Sequence, residues 1–152
     1  MNRLLWMKPY EAAVSNEVGA AELYTYGAME STTTHLPYEG ETRTAQVAPL
    51  SVRLLRLDDL VAGGEIRLPN FVKIDVEGHA HKALAGARKA IAAAQPIIVV
   101  AFHSDLEVAG VHAILDPLGY TCSPIATHSG SSVPTIGHDF IFHPAARAGV
   151  VS

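Results

Sequence analysis

The sequence has a single cysteine, Cys122, and no long apolar segment. One thiol cannot form an intrachain disulfide, and the lack of clustered cysteines favours a reducing cytoplasm over secretion. The longest uninterrupted apolar run, residues 96–102, is far shorter than the roughly 20 residues that a membrane helix needs. The start of the sequence also lacks an apolar stretch long enough for a signal peptide. We therefore expect a cytoplasmic protein without a membrane partner.

Positive charge is also scarce, with 11 basic against 15 acidic residues and a formal net charge of −4. No run of arginine or lysine is present, so we do not expect nucleic acid as a partner. Apolar residues make up 49% of the chain and charged residues only 17%, which favours a globular protein over a disordered one. A length of 152 residues predicts one domain, residues 1–152.

The amino-terminal segment, residues 1–57, is rich in strand and loop patterns. Ala12–Tyr26 predicts two short strands around the turn SNEVG, and Ser51–Leu57 predicts a third strand. Residues 27–40 are rich in Thr and Glu, and residues 126–137 are rich in Ser, Gly and Pro. Both of these stretches are predicted to be loops.

The remaining residues, 58–152, predict an α/β core. FVKIDVEG, residues 71–78, has the pattern of a strand, residues 79–95 have helical spacing, and residues 96–102 form a continuous apolar strand after Pro96. Such a strand, helix, strand unit predicts two parallel strands. The helix should bury one stripe of small and apolar residues: Ala80, Leu84, Ala87, Ile91 and Ala94.

A second helix and a hairpin complete the predicted core. Ser104 and Glu107 have the spacing of a capping box, which predicts the start of a helix that Gly119 ends. Tyr120–Ala126 and His138–His143 then predict an antiparallel hairpin at the edge of the sheet. The fold class is therefore α/β.

Three charged residues, Lys73, Asp75 and Glu77, alternate with apolar residues at the end of the predicted 71–78 strand. Buried charges are costly, so these groups must be paired, bound to a metal or placed at the open carboxyl end of the strand. Ligands bind at that end in open α/β sheets. Two explanations are therefore open: a binding site, or an ion pair of Lys73 with a carboxylate and Glu77 capping the next helix.

Several segments, in order, resemble the carboxyl-terminal signature of the FkbM family of methyltransferases. The similar region covers most of the chain, and the matching segments are AAVSNEVGAAELY, LDDLV, FVKIDVEG, HKALAGA, PIIVVAFH, LGY and HDFIFHP. The resemblance implies a partial Rossmann-like methyltransferase fold, with a mostly parallel sheet and a terminal antiparallel hairpin. It also implies methyl transfer from S-adenosylmethionine, in this family usually to an oxygen of a sugar, polyketide or other small molecule.

The same resemblance assigns the site residues. Asp75 and Glu77 match the family's acidic pair, and His103 matches the histidine after the family's fifth strand, so these three are the expected catalytic residues. A carboxylate at this position can accept or orient the proton of the acceptor hydroxyl. Ser15, Asn16 and Asp75 are the expected cofactor-binding residues. His103 has a second interpretation, as a histidine that only caps a strand end.

Two positions differ from the family, because this chain has Ala80 and Ala101 where relatives commonly have glutamate. His79 and His81 lie close by, and together with Asp75 and Glu77 they allow a metal site as an alternative to solvent-exposed histidines at a helix start. Since strand geometry does not continue into the helix, the four side chains need not converge, and we expect no metal.

A larger difference is the absence of the glycine-rich turn that holds an adenosyl cofactor in this fold. Gly63-Gly64 is predicted to be an ordinary turn. The family's sheet order would leave the 71–78 strand with an unpaired edge, so we expect a homodimer or a complementary chain that supplies the missing strands. The sequence therefore predicts a truncated methyltransferase that need not be active alone. The alternative is a non-catalytic remnant that serves as a binding or assembly module.

Overall fold

The structure, a computed structural model, describes residues 7–26, 31–33, 50–125 and 138–145. The predicted loop at 126–137 and most of the one at 27–40 lie outside these ranges. The elements of the described part are β1 (Ala13–Val14), β2 (Gly19–Tyr26), β3 (Ser31–Thr33), β4 (Leu50–Leu55), α1 (Leu57–Ala62), β5 (Phe71–Ile74), α2 (Ala80–Ala85), α3 (Arg88–Ala94), β6 (Ile97–Ala101), α4 (Asp105–Leu115), a 3₁₀ turn (Asp116–Leu118), β7 (Tyr120–Pro124) and β8 (Asp139–Pro144).

The amino-terminal strands form a mixed sheet in the order β1-β4-β2-β3. β1 and β2 confirm the two strands predicted for Ala12–Tyr26, but β4 lies between them, parallel to β1 and antiparallel to β2. The strand predicted at Ser51–Leu57 ends at Leu55 instead, because Leu57 already belongs to α1. The helix α1 was not predicted from the sequence.

The core strands form a second sheet in the order β5-β6-β8-β7. β5 and β6 are parallel, and β7 and β8 form an antiparallel hairpin at the sheet edge, as predicted. β8 also runs antiparallel to β6. The described part is thus α/β with two mixed sheets, and it does not confirm a mostly parallel sheet.

The helix predicted over residues 79–95 is two helices, because the chain bends at Gly86-Ala87. The Gly86 carbonyl accepts a hydrogen bond from the Asp58 amide at 2.9 Å, and the carboxylate of Asp58 accepts the amides of Lys89 and Ala90 at 3.1 and 2.8 Å. These contacts provide partners for backbone groups that a helix end leaves free. The carboxylate of Asp58, a residue distant in sequence, therefore caps the start of α3.

The main core lies between the second sheet and its helices. The predicted stripe of α2 and α3 is buried, apart from Ala94 at the end of α3, which is half-buried. Phe102 packs on Phe140 and Phe142 with ring centroids 5.8 and 6.3 Å apart. The core residues are Ile74, Ala80, Leu84, Ala87, Ile91, Ile98, Val100, Phe102, Val111, Leu115, Tyr120, Phe140 and Phe142.

Two further features concern the outer surface of the described residues. β5 is the terminal strand of its sheet, and the side chain of Phe71 on it is 58% exposed. Within the described ranges, no helix is both long and apolar enough to cross a membrane.

Candidate functional site

Asp75 and Glu77 follow β5 and do not lie on it, which corrects the prediction that they extend the strand. β5 ends at Ile74, and the next residues form a tight turn in which Glu77 has φ +46° and Gly78 has φ +91°. These values lie in the left-handed region that only glycine adopts without strain. The turn changes the direction of the chain, so Glu77 is placed by the turn and not by strand alternation.

His103 follows β6, and it contacts both carboxylates. Its Nε2 lies 3.2 Å from Oδ1 of Asp75, and its Nδ1 lies 3.5 Å from Oε2 of Glu77. Because β5 and β6 are parallel, their carboxyl ends meet at one edge of the sheet, which is where ligands bind in such folds. We call Asp75, Glu77 and His103 the strand-end triad. The three side chains predicted to be catalytic are thus brought together.

The triad is accessible to solvent and carries charge. The side chains of Asp75, Glu77 and His103 are 50%, 37% and 28% exposed. Nζ of Lys73 donates to Oδ2 of Asp75 at 3.1 Å. This hydrogen bond is the largest cause that holds the pKa of Asp75 below its ordinary value; partial burial opposes it, and the hydrogen bond with His103 lowers the pKa further.

The Lys73–Asp75 ion pair, predicted as part of the purely structural explanation, is therefore present. The amide of Ala80, the first residue of α2, donates at 2.8 Å to Oε1 of Glu107 rather than to Glu77. Glu77 therefore keeps its contact with His103 at the exposed end of the strands. This arrangement favours the binding-site explanation for Glu77.

Glu107 also belongs to the site, which was not predicted from the sequence. Its side chain is fully buried, and its other oxygen, Oε2, accepts the His103 amide at 2.8 Å. The capping-box spacing correctly predicted the α4 start, where the Ser104 hydroxyl accepts the Glu107 amide. Helical spacing could have indicated that Glu107 is buried. Val111 and Leu115 lie four and eight residues after it, on the buried face of the same helix.

Ser15 and Asn16, the predicted cofactor-binding residues, lie in a different environment from the triad. Ser15 is 1% exposed, and its Oγ lies 3.2 Å from both Oδ1 of Asn16 and Nε2 of His79. Its carbonyl packs against Gly86 so closely that a Cβ there would overlap the oxygen. Of the three predicted cofactor ligands, only Asp75 therefore belongs to the triad.

A cavity of about 450 Å³ lies beside this second region. None of the triad residues lines it, and its polar lining combines Asn16 and the acidic pair of α1 with three basic side chains, namely Arg56, Arg88 and Lys89. Arg56 already pairs with Asp59 through two hydrogen bonds of 2.8 and 2.9 Å. The cavity is thus separate from the strand ends where the predicted chemistry lies.

The two histidines considered for a metal site are neighbours in space. The rings of His79 and His81 have centroids 6.4 Å apart. Across the described ranges, however, no group of three or more histidine, cysteine or acidic side chains is arranged to hold a metal ion. The alternative of a metal site therefore gains no support from the geometry.

Comparison with known proteins agrees with the resemblance of the motifs. The Methyltransferase FkbM domain matches residues 2–122, which is well over half of the chain and includes the whole triad. The chain belongs to the FkbM methyltransferase family. Both strand-end loops of this FkbM domain, after β5 and after β6, thus lie in the matched region.

Two relatives show how much of an FkbM protein this chain represents. The hexuronic acid methyltransferase AglP of Haloferax volcanii is 30% identical over 82 residues, which are 54% of this chain and 30% of AglP. The crystal structure of methyltransferase FkbM from Methylobacillus flagellatus KT is 21% identical, with a TM-score of 0.48, over 61% of this chain and 24% of that one. This FkbM chain therefore spans less than a third of either relative.

An adenosyl cofactor fits the described residues of this FkbM domain only in part. Two carboxylates and an imidazole can bind hydroxyl or amino groups at the strand ends. However, Gly63-Gly64 ends α1, as predicted for a turn, and the space at Gly86 is filled by the Ser15 carbonyl. No glycine-rich turn opens a helix among the residues that the structure describes, so these residues do not form a complete cofactor site.

Proposed function

We propose that the chain takes part in S-adenosylmethionine-dependent methyl transfer to a hydroxyl group of a sugar or similar small molecule. The observation that carries this proposal is the strand-end triad, in which His103 lies between two exposed carboxylates. Membership of the FkbM family supports the reaction class. The name of the H. volcanii relative, a hexuronic acid methyltransferase, supports a sugar acceptor.

In this proposal the protein side of the chemistry is the removal of a proton. S-adenosylmethionine supplies a methyl group activated by its sulfonium, and the acceptor hydroxyl must lose its proton as its oxygen bonds to carbon. Both oxygens of Asp75 already have partners, Lys73 and His103, whereas the Glu77 carboxylate has, among the described residues, a single ion-pair contact, at 3.5 Å. We therefore assign proton acceptance to Glu77, and orientation of the hydroxyl to Asp75 and His103.

The test is methyl transfer from labelled S-adenosylmethionine to hexuronic acids and neutral sugars. Glu77→Gln should lower the rate by roughly 100-fold or more, because an amide cannot accept the proton, while the thermal unfolding curve should stay unchanged. Glu65→Gln, at an exposed carboxylate after α1, is the matched control. A Glu77→Gln protein with the full rate would refute the assignment.

Calorimetry separates methyl transfer from the alternative of a non-catalytic module. Heat on adding S-adenosylmethionine or S-adenosylhomocysteine is expected for the enzyme, whereas no heat from either ligand would favour a remnant that keeps the fold for binding or assembly. The incomplete cofactor site in the described residues is the observation that supports the alternative of a non-catalytic module.

We also propose that a second copy or a complementary chain covers the edge of β5. The support is the terminal position of β5 in its sheet and the exposed ring of Phe71, since unpaired strand edges invite pairing. Size-exclusion chromatography with light scattering tests this idea. A folded monomer at micromolar concentration would count against it.

A further inference from the structure

Glu107 is a charged residue with no exposed surface, in the first turn of α4. A buried carboxylate is unfavourable unless its oxygens are hydrogen-bonded, so its partners show why it is retained. Those partners are two backbone amides, one at the start of α2, where the loop after β5 ends, and one in the loop after β6. Oε1 accepts from Ala80 and Oε2 from His103, both at 2.8 Å.

These two amides belong to the segments that carry the triad. Ala80 lies three residues after Glu77, directly beyond the left-handed turn of Glu77 and Gly78. The amide of His103 belongs to the same residue whose ring contacts Asp75 and Glu77. A left-handed glutamate costs energy and persists only when surrounding contacts fix it, and the hydrogen bond to Ala80 is such a contact.

We propose that Glu107 is a positioning residue that ties the loop after β5 to the loop after β6 and thereby fixes the spacing of the strand-end triad. It touches neither donor nor acceptor, and its catalytic effect rests on the proposed methyl transfer. Its effect on the geometry of the triad does not depend on methyl transfer, so the positioning role and the proposed function can fail separately. A carboxylate suits this role because each of its oxygens can accept one amide.

Glu107→Gln is the main variant, with two controls. Glutamine has the same shape, but its NH₂ group faces one of the two amide donors, so one of the two hydrogen bonds is lost. Asp105→Asn removes an exposed carboxylate from the same helix turn. Val111→Ala removes buried volume from the same helix but leaves both hydrogen bonds of the Glu107 carboxyl group in place, and it controls for a general loss of stability.

The first readout needs neither donor nor acceptor. Carbon NMR of the Asp75 carboxyl, assigned with Asp75→Asn, follows its titration. Because the hydrogen bond with His103 helps to lower the pKa of Asp75, loosening His103 should raise that pKa in Glu107→Gln. Val111→Ala and Asp105→Asn should leave it unchanged. If Glu107→Gln leaves the titration unchanged, or if Val111→Ala shifts it equally, the proposal is overturned.

The second readout is kinetic. Misplaced catalytic groups should lower kcat by roughly 10- to 100-fold in Glu107→Gln, with KM for the acceptor nearly unchanged. A raised KM at full kcat would overturn a positioning role. If the wild-type chain shows no methyl transfer while the Asp75 titration shifts as expected, the proposed function fails and the positioning role stands.

A milder variant covers the case in which Glu107→Gln does not fold. Glu107→Asp keeps a carboxyl group, but it is one methylene shorter and cannot reach both amides. It should shift the Asp75 titration in the same direction. A folded Glu107→Asp protein with the wild-type titration would overturn the proposal.

Discussion

The two regions that contain the predicted cofactor-binding residues differ in almost every physical respect. The strand-end triad is partly exposed, charged and held by side-chain contacts of 3.1 to 3.5 Å. The second region, which we call the junction, consists of Ser15, Asn16, Asp58 and Gly86. It is held mainly by backbone contacts and by close packing around the buried Ser15.

This difference indicates that the family motifs of the chain serve two purposes. FVKIDVEG and the histidine after β6 place polar groups where a ligand can reach them. LDDLV and HKALAGA instead join α1 to the break between α2 and α3. Asp58 makes this connection through its amide and its carboxylate, and Gly86 allows it because it has no side chain that would meet the Ser15 carbonyl. The junction should therefore govern stability, and the triad should govern chemistry.

The largest effect is expected from Gly86→Ala. A Cβ at this position would overlap the Ser15 carbonyl oxygen and lie 3.2 Å from Cα of Asn16, so backbone must move. We expect the free energy of unfolding, measured with urea, to fall by about 2–3 kcal/mol, as for other overpacked sites.

Gly63→Ala is the matched control for this change. Gly63 ends α1 with φ −76°, as Gly86 ends α2 with φ −77°, so the backbone preference is the same at both sites. Its added Cβ would lie 3.2 Å from the Asp59 carbonyl oxygen and 4.0 Å from that of Leu60, so nothing would overlap. We expect a change below about 1 kcal/mol. Equal losses in the two variants would show that the junction is not special.

A smaller effect is expected from Asp58→Ala. This change removes the carboxylate that accepts two amides at the start of α3, and loss of such a cap costs about 1–2 kcal/mol. Asp59→Ala, one residue on, removes only an exposed ion pair with Arg56 and should cost less. Thermal unfolding of the two variants tests the order, and a larger loss for Asp59→Ala would contradict the junction as described.

The sequence predicted the elements of the core because their patterns are local. The apolar runs of β5 and β6, the helical spacing after Gly78 and the Ser104 cap all depend on neighbouring residues. The break in the predicted 79–95 helix depends instead on Asp58, about thirty residues away, and on the Ser15 carbonyl. Such contacts leave no local pattern, so one helix was predicted where there are two.

The same reasoning explains the candidate site. Asp75 and Glu77 were predicted from the charged end of the 71–78 strand and from the family motif, and His103 from the motif; the parallel strands β5 and β6 bring the three together. Ser15 and Asn16 were assigned by resemblance alone, and the structure places them in the junction. Glu107 was missed as a site residue because its capping-box position gave a sufficient local explanation.

The smallest effect concerns the triad, through the pH dependence of stability. Because the pKa of folded Asp75 is lowered, its contribution is present above the unfolded pKa and is lost as pH falls through the folded pKa. The side chain is half exposed, so this contribution should be below about 1 kcal/mol. Asp75→Asn should remove this part of the acid-side loss, and Lys73→Gln should raise the pKa of Asp75, since Lys73 is the main cause of the shift.

Urea unfolding from about pH 7 to about pH 2 measures this effect, with Asp105→Asn as the control for an exposed carboxylate outside the triad. The Asp75→Asn curve should be flatter than that of the wild type on the acid side, and the Asp105→Asn curve should follow the wild type. If both variants flatten equally, Asp75 has no special partners in solution. The contrast between a chemical triad and a structural junction would then lose its electrostatic basis.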